Sequence, residues 1–377
     1  MIVSDDHLYP AGGAEQAFGN ITKCLPHITF DLVCARLRRG AKKEEEVGNV
    51  HIHRIGFGIP KFDAFLLGTL GHFVAYRLSR KHRYDLVWSI MASYGGFVAV
   101  RVKKKLCIPM VLTLQEGDSF EYIYRKVRFV RKSFNAIFSS ADGLQAISHY
   151  LQAWGVEMGF VGSVNKVVPN GVDIASFTRK ISESEILDAR RNFGFSEHAT
   201  ILFTSSRLEK KNGISDVIAA LPKLSEDICF VVCGSGSLDA ALKTQVATLG
   251  LGHRVLFKGF VDPIELPLLM RASDVFIRPS LSEGLGNAFL EAMAADLIIV
   301  GTNAGGIPDF LLDGKTGFMV EIKNSKSIAE TIIRIISLSP QERERIIRRA
   351  SSLVITQYNW EVVTQDIQKI FNAVTQK

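Results

Sequence analysis

The sequence predicts an α/β protein made of two doubly wound, parallel-sheet domains, and three observations support this prediction. The chain has 377 residues, a length that usually divides into two domains. Short apolar segments rich in Val, Ile and Phe alternate with longer amphipathic segments, as strands alternate with helices. The apolar segments lack polar alternation, which is typical of parallel strands buried on both faces.

In the first half of the chain, most apolar segments are followed by a helical pattern. Residues 1–4 leave room for only a very short first strand, unless the choice of start codon has cut it. The other predicted strands are Phe30–Cys34, Val50–Ile55, Leu86–Ile90, Met110–Gln115, Leu144–Ile147 and Val167–Val168. The predicted helices are Gly13–Leu25, Phe62–Lys81, Gly96–Leu106 and Tyr122–Ser140.

The second half repeats the alternation after a break. Residues 174–200 are polar and contain no strand pattern. The predicted strands that follow are Ile201–Ser205, Ile228–Cys233, Val255–Lys258, Val275–Arg278, Leu297–Val300 and Phe318–Glu321. We therefore expect a first domain at 1–173, a second domain at 174–359, and a C-terminal helix at 360–377 that packs back on the first domain.

Composition excludes several classes of protein. Hydrophobic residues make up 47% of the chain and charged residues 22%, which excludes a disordered chain. No uncharged apolar run approaches the roughly 18–20 residues that span a bilayer, and the first residues do not resemble a secretory signal. The 5 cysteines form no Cys-x-x-Cys pair, so we expect reduced, buried thiols in a cytoplasmic protein.

The excess positive charge lies in the first half of the chain. Residues 1–173 contain 22 basic and 15 acidic side chains, whereas residues 174–377 contain 23 of each. Within residues 77–132 the balance is 13 basic to 4 acidic. Such an asymmetry indicates either contact with an anionic surface or an ordinary solvated face.

Two carboxylates flank a glycine-rich turn after the strand predicted at Val275–Arg278. Gly284 and Gly286 permit a tight loop, and Gly286 opens a predicted helix that runs to about residue 295. The amino end of a helix carries unpaired N–H groups and a partial positive charge, which suit a diphosphate. Glu283 before the helix and Glu291 inside it can each accept hydrogen bonds from a sugar diol.

A second motif places three cations after the first strand of the second domain. Arg207, Lys210 and Lys211 occupy a loop at the carboxyl end of a parallel strand, where such sheets bind ligands. Guanidinium and ammonium groups there can neutralise a diphosphate, although a solvated turn gives the same pattern.

Three glycine-rich loops also follow predicted strands. Gly234 and Gly236 form a lone Gly-x-Gly pair, a weak signal of close backbone approach. Gly12 and Gly13 can present backbone N–H groups from the first domain. Gly305 and Gly306 precede a helix in the second domain.

Taken in order, these motifs resemble family four of the retaining glycosyltransferases, the glycogen-synthase-like group with the GT-B fold. Glu283 and Glu291 match the Glu-x7-Glu signature of that family. The resemblance also rests on Arg207 with the following lysines, Gly305-Gly306-Ile307-Pro308, Asn170-Gly171-Val172-Asp173 and Gly12-Gly13-Ala14-Glu15, and it extends to about Trp360. It implies two Rossmann-like domains, the first binding an acceptor and the second a nucleotide-diphosphate sugar.

The resemblance also implies roles for individual residues. Glu283, Arg207 and Lys211 would carry catalysis, with Lys210 as the alternative to Lys211 at the diphosphate. Substrate-binding roles would fall to Glu291 at the ribose, to Phe260 and Val261 at the base, and to Gly12, Gly13, Gly284, Leu285, Gly286, Asn287, Gln115 and Asn170. The donor alternatives UDP-glucose, UDP-N-acetylglucosamine and GDP-mannose all fit, and the acceptor would be a lipid-linked glycan or another cell-surface glycan precursor.

Two positions depart from the family pattern. The family commonly has Lys five residues after the Arg, where this chain has Asn212. It often has His in a Thr-x-His-Gly loop, where this chain has Gln115, which cannot titrate but can still donate or accept a hydrogen bond. These departures keep open a catalytically silent relative that binds nucleotide sugars or acts as a scaffold.

The expected chemistry is retaining sugar transfer without a metal or cofactor. The sequence contains no Asp-x-Asp, so cations and a helix amino end would stabilise the leaving diphosphate instead. A nicotinamide oxidoreductase would need the rest of the dinucleotide fingerprint. A nucleic-acid-binding protein would use residues 125–132 but shows no known module, so we expect no nucleic-acid partner.

The basic stretches also predict a peripheral membrane surface. The predicted helices Phe62–Lys81 and Tyr122–Ser140 combine apolar positions with cations, as helices lying in an anionic headgroup layer do. Family relatives with lipid-linked acceptors use the first domain in this way. The alternative is that the apolar positions are core and the cations are solvated.

Overall fold

The computed structural model describes residues 1–5 and 13–376, and it divides into two compact units. The N-terminal unit comprises Met1–Gly171 together with Trp360–Lys377, and the C-terminal unit comprises Val172–Asn359. Each unit is a sheet with helices, as the alternation in the sequence predicts.

The described part of the N-terminal unit contains an 8-stranded sheet in the order β3-β4-β2-β1-β5-β6-β7-β8. Its strands are β1 (Ile2–Val3), β2 (Phe30–Ala35), β3 (Glu44–Val47), β4 (Val50–Ile55), β5 (Val87–Ile90), β6 (Met110–Leu114), β7 (Gly143–Ala146) and β8 (Val164–Val167). Its first six helices are α1 (Gly13–Cys24), α2 (Pro60–Ser79), α3 (Tyr94–Leu106), α4 (Phe120–Val127), α5 (Arg131–Ser140) and α6 (His149–Glu157).

A buried polar chain and an apolar core hold this sheet together. The Trp88 indole donates to the Thr113 hydroxyl over 2.7 Å, and that hydroxyl donates to Gln145 over 2.6 Å. The C-terminal helix α15 (Trp360–Thr375) buries Ile367, Ile370 and Phe371 in the same core. Its apolar face is therefore part of the N-terminal unit's interior.

The described part of the C-terminal unit contains a 6-stranded, all-parallel sheet in the order β11-β10-β9-β12-β13-β14. Its strands are β9 (Thr200–Ser205), β10 (Ile228–Cys233), β11 (Val255–Gly259), β12 (Val275–Ile277), β13 (Ile298–Thr302) and β14 (Phe318–Val320). Its helices are α7 (Ile174–Thr178), α8 (Glu183–Arg191), α9 (Ile214–Ala220), α10 (Asp239–Thr248), α11 (Leu266–Arg271), α12 (Asn287–Ala294), α13 (Ser325–Ile336) and α14 (Pro340–Gln357).

Three features of the N-terminal unit differ from the sequence prediction. β3, with three consecutive glutamates, pairs antiparallel with β4, because a charged edge strand needs no apolar pattern. The segment predicted as one helix, Tyr122–Ser140, forms two helices, α4 and α5, with a break before Arg131. The sequence predicts a single helix because its amphipathic pattern continues across this break. Helix α6 had no predicted counterpart, although Ser148 caps it by accepting from the Leu151 N–H.

The cysteine prediction is only partly right. Cys34, Cys229 and Cys233 are buried, and all five thiols are free. Cys24 and Cys107 are exposed, since each lies at the end of a helix rather than on a strand. Among the described residues, no helix is both long and apolar enough to cross a membrane.

Candidate functional site

In the C-terminal unit, the candidate residues follow the two strands at which the strand order reverses. β9 and β12 are neighbours in the centre of the sheet, with β10 and β13 beyond them on either side. Arg207 follows β9 and Glu283 follows β12. Ligands of doubly wound sheets bind at the carboxyl ends of strands at such a switch point.

The Glu283 loop is shaped by glycines that no other residue can replace without strain. Gly286 has φ of 101° and caps the amino end of α12, which begins at Asn287. Gly305 has φ of 57°, and a Cβ there would overlap the Glu283 carbonyl oxygen. The Gly306 N–H donates to that same oxygen over 3.2 Å. The Gly305–Gly306 loop thus braces the backbone that carries Glu283.

The residues between Glu283 and the helix form its amino-terminal turn. Gly284, Leu285 and Gly286 are buried, and Leu285 is 1% exposed. Asn287 is partly exposed at the first position of α12. Because the first N–H groups of a helix lack intrahelical acceptors, this turn presents donors at the carboxyl edge of the sheet.

The Glu283 carboxylate contacts a buried arginine. Arg278 Nη2 lies 3.1 Å from Glu283 Oε2. The guanidinium also lies over the Phe289 ring, 4.7 Å from its centroid. Glu283 is therefore held from the sheet side by a fixed positive charge.

Glu291 lies one turn into α12 and is mostly enclosed by protein. Burial raises the pKa of its carboxyl to about 7, and the positive charge of Arg278 opposes this rise. A raised pKa of this size places the titration of Glu291 near neutral pH. A diol that donates to the carboxylate would favour the charged form.

The Arg207 loop is held by its own buried amide. Asn212, at the position where the family commonly has Lys, is buried, and its side-chain amide donates to the Arg207 carbonyl. Arg207 and Lys210 are exposed, and Lys211 is partly exposed. The Leu281 N–H donates to the Lys211 carbonyl over 2.6 Å, so the cation loop and the Glu283 loop are joined.

The Gly-x-Gly loop after β10 packs under the Arg207 loop. A Cβ on Gly234 would overlap the Ser206 carbonyl oxygen, and one on Gly236 would approach the Leu208 backbone. The Gly234 N–H also donates to the Gly259 carbonyl over 2.6 Å. After Gly259 come the proposed base contacts, Phe260, which is 71% exposed, and partly exposed Val261.

The candidate residues of the N-terminal unit form a separate group. Asn170 is buried, and its amide donates to Gln115 Oε1 over 3.3 Å, so the structure brings these two together. Gly13 is the exposed first residue of α1. Gly12 lies outside the described residues.

Two charged residues, one in each unit, have no role in the sequence prediction. Arg278 ends the apolar run of β12, and an isolated charge at a buried strand end was the available signal. Glu116 is 5% exposed and accepts from the Ala92 N–H over 2.7 Å. Burial raises the pKa of Glu116 to about 7, with the charge of Asp5 adding to the rise.

Within residues 1–5 and 13–376, no group of three or more His, Cys, Asp or Glu side chains is arranged to hold a metal ion.

The two halves of the chain match two glycosyltransferase family models. Residues 11–176 match Glycosyltransferase Family 4, and residues 185–353 match Glycosyl transferases group 1. The chain belongs to the family-four glycosyltransferases. Glu283 and Glu291 of this glycosyltransferase both lie in the second matched segment.

Two curated relatives act on lipids according to their names. The phosphatidyl-myo-inositol mannosyltransferase of Mycolicibacterium smegmatis is 32% identical over 237 residues, which are 62% of this chain and 58% of that protein. The UDP-Gal:alpha-D-GlcNAc-diphosphoundecaprenol alpha-1,3-galactosyltransferase of Escherichia coli is 28% identical over 272 residues, covering 69% of this chain and 68% of that protein. The chain spans little more than half the length of the first curated relatives it matches.

A solved structure extends the likeness to the whole chain. The crystal structure of Anabaena HepE in complex with UDP and glucose matches with a TM-score of 0.80 and 23% identity, covering 99% of each chain. The similarity shows the fold of this glycosyltransferase, which is GT-B.

Proposed function

We propose that this protein transfers a sugar, with retention of anomeric configuration, from a nucleotide-diphosphate sugar to a hydroxyl acceptor. The observation that supports this most directly is the carboxyl edge of β9 and β12. There the cation loop of Arg207 is hydrogen-bonded to the loop that carries Glu283 into the amino end of α12. The cations and helix N–H groups suit the negative charge of a diphosphate, and the two carboxylates suit the hydroxyl groups of the ribose and the transferred sugar.

The reaction is carried by stabilisation of the leaving group. Breaking the sugar–phosphate bond leaves negative charge on the diphosphate oxygens, and Arg207 and Lys211 neutralise that charge. The N–H groups at the start of α12 donate hydrogen bonds to phosphate oxygens and stabilise the remaining negative charge. In this scheme no divalent ion is required, and no cofactor is used beyond the donor substrate.

The carboxylates orient the donor instead of attacking the sugar. Glu291 accepts from the ribose hydroxyls, while Glu283 accepts from a hydroxyl of the transferred sugar. The ion pair with Arg278 keeps the Glu283 carboxylate in one place. A two-carboxylate glycosidase mechanism would need the acids on opposite sides of the scissile bond, whereas both glutamates here belong to one loop and helix.

In this proposal the sugar is transferred to a lipid-linked acceptor, and the N-terminal unit binds the membrane surface. Its helix α2 exposes Phe62, Phe65, Leu70 and Phe73 along one face. Helix α4 and the residues after it add Arg125, Lys126, Arg128 and Arg131, each of which lies over an aromatic ring. Apolar side chains with neighbouring cations suit an anionic headgroup layer. The two lipid-acting relatives support the same choice.

The donor is tested by binding and by product stereochemistry. Thermal-shift measurements with UDP-glucose, UDP-N-acetylglucosamine and GDP-mannose should show stabilisation by one of them. Transfer to a polyprenyl-diphosphate sugar should then give a product whose anomeric configuration, read by NMR, equals that of the donor. Inversion would rule out the retaining mechanism, and loss of activity in EDTA with rescue by Mn²⁺ or Mg²⁺ would rule out metal independence.

A catalytically silent relative is the second candidate, and the side chain of Asn212 favours it. That side chain is buried and hydrogen-bonded to the loop backbone, so it supplies no charge where the family commonly has Lys. Such a protein would bind nucleotide sugars without hydrolysing or transferring them. Turnover by the purified wild type, lost in Glu283→Ala, separates the two candidates.

The membrane surface is tested with vesicles. Co-sedimentation should rise with the fraction of anionic lipid and fall with salt. It should drop when Arg125, Lys126, Arg128 and Arg131 are replaced by Ser. The matched control replaces the exposed Arg345, Arg348 and Arg349 of α14 by Ser, and it should retain binding. Absence of vesicle binding at low salt would make an acceptor in solution the better choice.

A further inference from the structure

Arg278 is a buried cation at the centre of the C-terminal sheet. It follows Ile277, the last residue of β12, and it is 6% exposed. A buried guanidinium is costly unless carboxylates and hydrogen-bond acceptors surround it. The surroundings of Arg278 therefore indicate which groups its charge stabilises.

The guanidinium is fixed on three sides. Nη2 donates to Glu283 Oε2 over 3.1 Å, and Nη1 lies 3.5 Å from the Ser205 carbonyl oxygen at the end of β9. Its Cζ lies over the Phe289 ring of α12, 4.7 Å from the ring centroid. Arg278 thus connects the strand end before the cation loop, the Glu283 loop and the helix that carries Glu291.

The amino end of α12 leaves little space beside this cation. A Cβ on Gly286 would come within 3.3 Å of Arg278 Nη2. A positive charge near a helix amino end is unfavourable by itself. Carboxylates must therefore offset it, and Glu283 and Glu291 are the two in this segment.

We propose that Arg278 is a positioning residue, which holds the Glu283 carboxylate in place and supplies the fixed positive charge that acts on Glu291. The inference rests on the proposed function for its catalytic consequence. The effect of the Arg278 charge on the ionisation of Glu291 is a property of the protein without substrate and does not depend on that function.

Arg278 is the cation whose charge lowers the pKa of Glu291. Helix α12 packs against β13, α7 and α14. β13 and α7 contain no charged or titratable side chains. The charged residues in the first half of α14 are partly or fully exposed: Glu342, Arg343, Glu344, Arg345, Arg348 and Arg349. Burial is the main cause of the raised pKa of Glu291, and the Arg278 charge opposes it.

The test measures the titration of Glu291 directly. Protein labelled with ¹³C at glutamate carboxyls would be titrated by NMR without ligand, with Glu291→Gln assigning the signal. The wild-type midpoint is expected at about pH 7. Arg278→Gln should raise the midpoint by roughly one unit or more, because the charged carboxylate loses a nearby cation. Arg278→Lys should keep it near the wild-type value.

A second buried arginine of the same unit provides the matched control. Arg254 is 1% exposed and donates to the carbonyls of Ile228 and Ser225, away from α12. Arg254→Gln should lower thermal stability without moving the Glu291 midpoint. In transfer assays, Arg278→Gln should lower kcat about tenfold or more through the misplaced Glu283, while Arg254→Gln should not.

The outcomes separate this inference from the proposed function. An unchanged Glu291 midpoint in Arg278→Gln, or an equal shift in Arg254→Gln, would overturn the inference even if the enzyme transfers sugar. A normal kcat in Arg278→Gln would overturn the positioning of Glu283. A shifted midpoint in a protein that binds no nucleotide sugar would uphold the electrostatic part and refute the proposed function.

Discussion

The carboxyl edge of the C-terminal sheet is shaped by glycine backbone, whereas the described part of the corresponding edge in the N-terminal unit is held by side chains. Gly213, Gly234, Gly286 and Gly305 all have positive φ, and a side chain at any of them would meet a neighbouring loop or residue. In the N-terminal unit, Asp5 and Glu116 instead accept from the N–H groups of Gly95 and Ala92 over 2.7 Å.

The two edges also differ around two glutamates, Glu116, which is buried, and Glu291, which is partly exposed. Glu116 and Glu291 both have a pKa raised to about 7 by burial. Backbone N–H groups lower the pKa of Glu116 and the charge of Asp5 raises it, whereas the Arg278 guanidinium lowers the pKa of Glu291. Burial thus raises both pKa values, and the rise is opposed by backbone N–H groups in one unit and by a side-chain charge in the other. Four experiments test this contrast.

The largest loss of stability and activity is expected from a substitution at Gly305. Gly305→Ala should cost at least about 2 kcal/mol of stability and abolish transfer, because its Cβ overlaps the Glu283 carbonyl and its φ is positive. Gly250→Ala is the matched control, with φ of 69° and no atoms within 4 Å of its added Cβ. Denaturant unfolding and initial rates would measure both variants. Equal behaviour of the two would contradict the bracing role of Gly305.

The next largest effect is expected when the Glu291 carboxylate is removed. Glu291→Gln should weaken nucleotide binding by about 1–3 kcal/mol, because a diol loses a charged acceptor. Glu283→Ala should mainly reduce kcat. Isothermal titration with nucleoside diphosphates and steady-state kinetics would separate the two effects. Normal transfer by both variants would show that the site has been placed wrongly.

Glu116 and Glu291 should affect stability in the same way as pH changes, but they should differ in their response to the loss of Arg278. Because both folded pKa values exceed the ordinary 4.5, the unfolded chain ionises first as pH rises. Each glutamate therefore lowers stability progressively between about pH 4.5 and pH 7, by on the order of 1–3 kcal/mol. Glu116→Gln and Glu291→Gln should both recover stability at pH 8 relative to pH 5.

Only Glu291 should be coupled to Arg278. Thermal unfolding at the two pH values should show that the gain from Glu291→Gln changes in an Arg278→Gln background, while the gain from Glu116→Gln does not. The exposed Glu330→Gln serves as the control. Equal coupling of both glutamates to Arg278 would contradict the contrast between the two edges.

The smallest effect should distinguish the two lysines of the cation loop. Lys211→Ala should weaken diphosphate binding by about 1 kcal/mol, because a charged hydrogen-bond donor is lost. Lys210→Ala should change it less. Competition binding of nucleoside diphosphate and nucleoside would isolate the diphosphate contribution. A larger loss in Lys210→Ala would transfer the role to that residue.

Much of the fold follows from the sequence because burial leaves a local pattern. β10 is apolar throughout and buried at every position, so a two-sided parallel strand was predictable from its own residues. The edge strand β3 was not, because its stability comes from pairing with β4 and its glutamates resemble a loop. The sequence does not predict the break between α4 and α5, because the amphipathic spacing of apolar residues continues across it.

The types and spacing of the residues specify the chemistry available to the candidate site. Glu283, Glu291, Arg207 and the glycine loops were identified by type, spacing and position after strands. Their partners depend on tertiary contacts between segments far apart in the chain, such as the Gly305–Gly306 loop beneath Glu283 and the Leu281 N–H that donates to the Lys211 carbonyl. The charge of Arg278 could be read from the sequence, but its contact with Glu283 and its effect on Glu291 required the folded sheet. Local pattern specifies which groups exist, whereas packing and burial decide which groups meet and what charge they carry.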